Sequence, residues 1–265
     1  MDKIQKVKQD SINEFGTEVT QRKYEKIALE GLWASEDLLI KKYFQKKSCI
    51  LDIGCGSGRT SIPLVNLGYE VTGVDITPQM IDTAKEIAKN QNLDIDYEVG
   101  DATKLRFDSD TFDGAIFANN GWVQIPAKAN RQKALVEIYR ILKPGGIFIL
   151  TAHRRYYALN NLLPWVIRWI KYYILKSIGI KIDEIEFGDL FFNRHVGEER
   201  LKQRQFIHMT GVGEVEEQIT KAGFKLILAK SMGEVARQDA ETMKASLSKN
   251  FNSYKSPFFY VCEKE

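Results

Sequence analysis

The sequence predicts an α/β fold, a mostly parallel sheet with helices on both faces. Three observations predict it. From Ser48 to Thr151, short apolar runs alternate with amphipathic segments, the mark of successive βαβ units. The run "CILDIG" feeds a glycine-rich turn that opens a helix. Proline and glycine stand where helix boundaries belong, in "TPQM" and in "KPGG".

The elements follow in order. Residues 1–46 carry apolar side chains at helical spacing, Ile27, Leu29, Leu32 and Trp33, then Leu38, Leu39, Ile40, Tyr43 and Phe44. With Gly31 as a break, two N-terminal helices are expected, lying over the site. Residues 47–265 form the main domain. Its strands are "CILDIG", "EVTGVDI", "IDYEVG", "FDGAIFAN" and "IFILTA"; its helices are "RTSIPLVNLG", "TPQMIDTAKEIAKNQ" and "ANRQKALVEIYRILKPGG". Residues 154–208 break this rhythm, first rich in Tyr, Trp, Ile and Leu, then mixed and charged. They are expected to be a helical insertion serving as a substrate lid. The alternation resumes with "GVGEVEEQITKAG" as a helix, "FKLILAK" as a strand, a polar helix over 234–249 and "SPFFYVCEK" as the last strand.

Composition excludes several classes. The formal charge of +3, from 38 basic and 35 acidic residues, calls for no polyanionic partner. Cys49, Cys55 and Cys262 are odd in number and scattered, so neither a disulfide framework nor a metal site is suggested, and a reducing cytoplasm is expected. The opening "MDKIQKVKQDSINEFG" lacks the apolar core of a signal peptide, and no apolar run is long enough for a spanning helix.

The functional signal sits at the strand tips. Gly54, Gly56 and Gly58 stand at alternate positions between a strand and a helix, where backbone N–H groups and a helix dipole meet a ligand. The spacing G-x-G-x-G departs from the G-x-G-x-x-G of a pyrophosphate cradle, which disfavours a nucleotide-dependent oxidoreductase. Asp75 ends the second strand about 20 residues on, as an acid reading both hydroxyls of a ribose would. Asp101 ends the third, beside Ala102, placed to take an exocyclic amine. Each acid alone reads more readily as a solvated loop acid or a helix N-cap; it is the coincidence of three strand tips that points to a ligand.

In four consecutive stretches, "LDIGCGSG", "VTGVDITPQMIDTAKE", "VGDATKLRFDSDTFDGAIFANN" and "EIYRILKPGGIFILTAH", the chain resembles the class I S-adenosylmethionine-dependent methyltransferases of the small UbiE-like type. The resemblance implies a Rossmann-like, seven-stranded sheet whose last strand is antiparallel. It also implies that Gly54, Gly56 and Gly58 line the methionine end of S-adenosylmethionine, with Asp52 and Cys55 counted in the same set. Asp75 would hold the ribose, Ile76 pack on adenine, Asp101 and Ala102 contact the adenine edge, and Asn119 lie near the transferring methyl.

The implied activity is methyl transfer to a small molecule at an O, N or C atom. An RNA-modifying enzyme and a non-catalytic binding module are the alternatives. Asn119-Asn120-Gly121-Trp122 lacks the Pro-Pro-aromatic pattern of nucleobase amine methyltransferases. Of the three histidines, His153 after the fifth strand is the candidate base; Trp122, Tyr156 and His195 are candidate substrate contacts. Arg168, Lys171 and Lys176 among apolar neighbours also fit a helix lying on lipid, so peripheral membrane contact is an alternative role for the insertion. A monomer or homodimer is expected.

Overall fold

Three helices, not two, precede the sheet: α1 (Lys3–Phe15), α2 (Glu18–Glu30) and α3 (Ala34–Tyr43). The additional boundary has its own caps. Asp2 Oδ1 accepts from the Gln5 amide at 2.8 Å and starts α1, and Thr17 Oγ1 accepts from the Thr20 amide to start α2. The computed structural model describes residues 1–155, 159–196, 199–238 and 257–265.

The sheet is then laid down by β1 (Cys49–Ile53), α4 (Ser61–Asn66), β2 (Glu70–Asp75), α5 (Pro78–Asn90), β3 (Asp96–Val99), β4 (Phe112–Phe117), α6 (Lys128–Ile141) and β5 (Leu142–Ala152). Inserted next are α7 (Leu159–Trp169), prolonged by a π-helical turn (Ile170–Leu175), and an antiparallel hairpin of β6 (Asp189–Val196) and β7 (Glu199–His208). The second half of the insertion is therefore a hairpin where an all-helical insertion is expected from the sequence. The chain closes with α8 (Glu214–Lys221), β8 (Phe224–Ser231), a short α9 (Met232–Ala236) and β9 (Phe258–Lys264). The polar helix expected over 234–249 falls largely outside the described residues.

The strand order is β3-β2-β1-β4-β5-β9-β8 in a seven-stranded sheet. Only β9 runs antiparallel to its neighbours, β5 and β8. Strict alternation explains the two covered faces. Leu51, Ala115, Phe117, Phe148 and Leu150 point to one core with α6 and α8, whereas Ile50, Ile116, Ile149 and Val261 point to the other with α3 and α9. Helix α5 buries Met80, Ile81, Ala84, Ile87 and Ala88, the i, i+1, i+4, i+7, i+8 stripe of an amphipathic helix. Because β1 pairs with β2 on one side and β4 on the other, the chain reverses its winding between β1 and β4. That switch point leaves a crevice at the carboxyl ends of the strands.

Candidate functional site

A cavity of about 320 Å³ occupies that crevice. Its floor is built from strand tips: Gly54 and Gly56 after β1, Asp75 and Ile76 after β2, Asp101 and Ala102 after β3, and Asn119 after β4. Its roof is the N-terminal layer. Lys8, Ile12 and Phe15 of α1 and Tyr24 of α2 face it, with Phe15 and Tyr24 edge to face at 5.5 Å. A third wall, Gln124 to Pro126 with Asn130 and Lys133, follows β4 and starts α6.

The glycine turn has a local cause. Gly54, Gly56 and Gly58 all have positive φ, at 63°, 54° and 92°, so the chain folds back on itself without side chains. A Cβ at Gly56 would meet nothing closer than Tyr24 at 3.9 Å, so that amide borders open cavity. Gly58 faces the other way, where a Cβ would lie 2.6 Å from the Tyr97 hydroxyl. It does not line the cavity, contrary to the sequence expectation.

Asp75 is held by the backbone around it. Its Oδ2 accepts from the Gly56 amide at 3.0 Å and its Oδ1 from the Thr77 amide at 2.8 Å. Each oxygen keeps acceptor capacity toward the cavity, since an ionised carboxylate has about four lone-pair sites. Burial raises its pKa against the lowering by these amide bonds. Half-burial also pushes Asp101 up, but the Lys8 ammonium at 2.5 Å and two hydrogen bonds from Thr103 outweigh it, and the group lies below the usual carboxylate range. At the tip of β4, Asn119 and Asn120 both adopt left-handed conformations, a place where backbone strain is concentrated beside the cavity.

Several expected contacts lie elsewhere. Asp52 is buried beneath the turn, accepts from Ser61 Oγ at 2.6 Å, and is pushed up to about 7 by burial. The Cys55 thiol turns inward under Gly73, and burial holds its pKa far above the usual thiol range. Trp122 is fully buried, its Nε1 donating to the Arg131 carbonyl at 3.2 Å, so it belongs to the core and not to a substrate wall. The paired left-handed residues Asn119 and Asn120 reverse the chain ahead of it.

His153 does not line the cavity either. Its carbonyl accepts from the Thr210 amide and hydroxyl, both at 2.9 Å, which clips β5 to the end of the insertion, and burial lowers its ring pKa. Tyr156 lies outside the described residues. His195 stands opposite Arg200 in the hairpin register, and its side chain is likewise outside them. Trp165 and Tyr172 pack on Phe187, away from the cavity.

Helices of residues 1–46 are expected over the site, but the individual contributors Lys8, Ile12 and Phe15 of α1 are not singled out by the sequence. The available signal was the Asp2 cap ahead of Ile4, Val7, Ile12 and Phe15, apolar positions that recur on one side of a helix. A second polar cluster lies outside the cavity, where the donor atoms of Glu186, Asp189 and His208 fall within 4.8 Å of one another. Arg131 takes Glu186 at 2.6 Å, while His208 bonds Asp189 through Nδ1 at 2.8 Å and Glu214 through Nε2 at 3.0 Å. Its groups therefore satisfy one another as ion pairs.

Residues 50–146 match the model of a methyltransferase domain family. A demethylmenaquinone methyltransferase of Leptospira interrogans is 35% identical over 147 residues, covering 53% of this chain and 55% of the relative. A ubiquinone biosynthesis O-methyltransferase of Maricaulis maris is 37% identical over 126 residues, covering 46% and 48%. The chain thus spans about half the length of the curated relatives it matches. Among solved structures, a SAM-dependent methyltransferase from Methanosarcina mazei superposes with a TM-score of 0.64 at 23% identity, covering 85% of this chain and 96% of that one. The PH0226 protein of Pyrococcus horikoshii gives a TM-score of 0.60 at 26% identity, covering 95% of each chain.

Proposed function

We propose that the chain is a class I S-adenosylmethionine-dependent methyltransferase that transfers a methyl group to a small, largely apolar acceptor. The observation that carries this reading is the convergence on one cavity of the Gly54–Gly56 turn, the Asp75 carboxylate and the Asp101 carboxylate.

The residues fit the cofactor. Asp75 accepts the two ribose hydroxyls on lone pairs left free by its amide donors, and Ile76 packs against the adenine. Asp101 accepts the adenine amine, a donor taking the place that the Lys8 ammonium holds in the described structure. The open side of Gly56 leaves room for the methionine end, near Asn119. S-adenosylmethionine, when bound, supplies an electrophilic methyl on an excellent leaving group.

What remains for the chain is alignment. Phe15, Tyr24, Phe117, Ile125 and Pro126 exclude water from the acceptor side, and Gln124, Asn130 and Lys133 offer polar contacts that orient it. Holding an acceptor in line contributes up to about 7–11 kcal/mol toward the barrier in well-oriented cases, without any acid–base pair. The relatives named as a demethylmenaquinone methyltransferase and a ubiquinone biosynthesis O-methyltransferase support a quinone-like acceptor.

Isothermal titration calorimetry tests the reading. S-adenosylhomocysteine is expected to bind and NAD is not; binding of NAD alone would sink the proposal. Asp75→Ala is expected to weaken S-adenosylhomocysteine by at least about tenfold, because a charge-assisted hydrogen-bond pair is lost. Unchanged affinity in that variant would remove Asp75 from the site.

A further inference from the structure

The outward side of the insertion helix is apolar and, among the described residues, exposed. Leu162, Leu163, Val166, Ile167, Ile170 and Ile174 recur at helical spacing along α7 and its π-helical continuation, and all are exposed, Leu163 at 67% and Ile167 at 57%. Trp169 and Tyr173, their rings 5.4 Å apart and tilted, are exposed at 48% and 49%, with Tyr173 also touching Phe187. The opposite side is the one held to the protein: Trp165 and Tyr172 pack on Phe187, and Lys171 reaches Glu184 at 2.8 Å. The exposed aliphatic side chains are not the ones that fasten the helix, which is held by Trp165, Tyr172 and Tyr173 on Phe187 and by Lys171 on Glu184.

Charge selects the occupant. Residues 159–181 hold four cations, Arg168, Lys171, Lys176 and Lys181, and no carboxylate. Lys171 is paired with Glu184, which leaves Arg168, Lys176 and Lys181 as exposed cations of the segment, Arg168 over the Trp165 ring and Lys176 over the Tyr172 ring. Aromatic side chains with one apolar and one polar end, together with flanking cations, suit the headgroup layer of a bilayer. The α7 and π segments, 11 and 6 residues, reach about 25 Å at the α-helical rise, and no helix among the described residues is long and apolar enough to cross a membrane. The element can lie on a surface and not span it.

We propose that this face seats the protein on a lipid bilayer carrying anionic headgroups, with α7 and the π turn lying in the plane of the interface. The inference is independent of the methyl-transfer reading. It stands on exposure and charge alone.

Vesicle co-sedimentation of the full chain tests it. Binding is expected to phosphatidylcholine vesicles containing about one third phosphatidylglycerol, weaker to phosphatidylcholine alone, and reduced by high salt. The double variant Leu163→Asp/Ile167→Asp is expected to lose at least about tenfold in partitioning, since two apolar side chains no longer enter the interface. Both positions are exposed, so its thermal melting should match the parent chain; Arg168→Glu/Lys176→Glu, a second variant, should lose the preference for phosphatidylglycerol. The Trp169 contribution to fluorescence, isolated by comparison with Trp169→Phe, should shift to the blue on binding. No binding at low salt overturns the proposal, as does equal binding by Leu163→Asp/Ile167→Asp. A dimer in sedimentation velocity that this double variant dissolves, without vesicle binding by the parent, would assign the face to a second copy instead.

Discussion

At the scale of single residues, Gly56 and Gly58 separate ligand binding from folding. Both have positive φ, so alanine at either costs about 1–2 kcal/mol in backbone strain. Gly58→Ala also drives its Cβ into the Tyr97 hydroxyl, an overpacking term of about 1–3 kcal/mol more. Gly56→Ala meets no such neighbour but projects into the cavity. Gly58→Ala is therefore expected to lose the more stability in urea unfolding. Gly56→Ala should lose the more affinity for S-adenosylhomocysteine in calorimetry, and the reverse ranking would contradict the assignment of the two faces. The sequence could locate this turn and Asp75 because both follow from local spacing. It could not say which way Gly58, Cys55 and Trp122 face, since orientation after a strand tip depends on the left-handed residues that turn the chain.

At the scale of elements, two ion-pair clusters fasten pieces that the sheet does not hold. Arg59 donates to Glu36 through Nη1 at 2.7 Å and Nη2 at 2.8 Å, both side chains buried, and so ties α3 to the glycine turn. Glu36→Ala leaves a buried guanidinium without its charge partner and is expected to cost about 3–5 kcal/mol in denaturant unfolding. A loss under about 1 kcal/mol would show the pair to be dispensable.

The second cluster, His208 with Asp189, Glu214, Glu186 and Arg131, joins the hairpin to α6 and α8. Burial alone would pull the His208 ring down and Arg131 works the same way, yet the bonds to Asp189 and Glu214 win and its pKa is raised above 6.5. Its contribution is thus complete below about pH 6.5 and is lost as pH rises through the folded value. Burial raises Glu214, but His208 and the Gly211 amide hold it down to about 2 from 4.5, so its contribution is complete above about 4.5 and fades toward 2. The melting-temperature advantage of the parent chain over His208→Gln should be greatest between these limits and shrink in alkali. A constant difference from pH 5 to pH 9 would exclude a charged His208. The hairpin itself was not legible in the sequence. Its strands mix charge with aromatics, and the pairing of Gln205 with Glu14 at 2.5 Å joins residues nearly 200 apart.

At the scale of the whole molecule, the cavity lies between two layers and is complete only when both are in place. The strand tips supply the acids, and α1 supplies the roof, held by Gln205 at Glu14 and by Lys3, which donates to the carbonyls of Ile182 and Glu184 at 2.8 and 2.9 Å. The strand tips were readable because parallel strands bring every carboxyl end to one edge; helices over the site were expected as well, but not the anchors that hold α1, because they lie in the insertion. A ligand filling this cavity touches both layers, so it binds the closed arrangement and not one with α1 detached. Chymotryptic cleavage after Phe15, which faces the cavity, requires that detachment. With S-adenosylhomocysteine at about 100 times its Kd, the detached fraction falls about a hundredfold, and cleavage after Phe15 should slow to match where opening is fast relative to cleavage. Cleavage after Phe192, exposed on the hairpin, should change far less. If saturating ligand leaves the Phe15 rate unchanged, α1 is not part of the bound state and the cofactor sits on the strand tips alone.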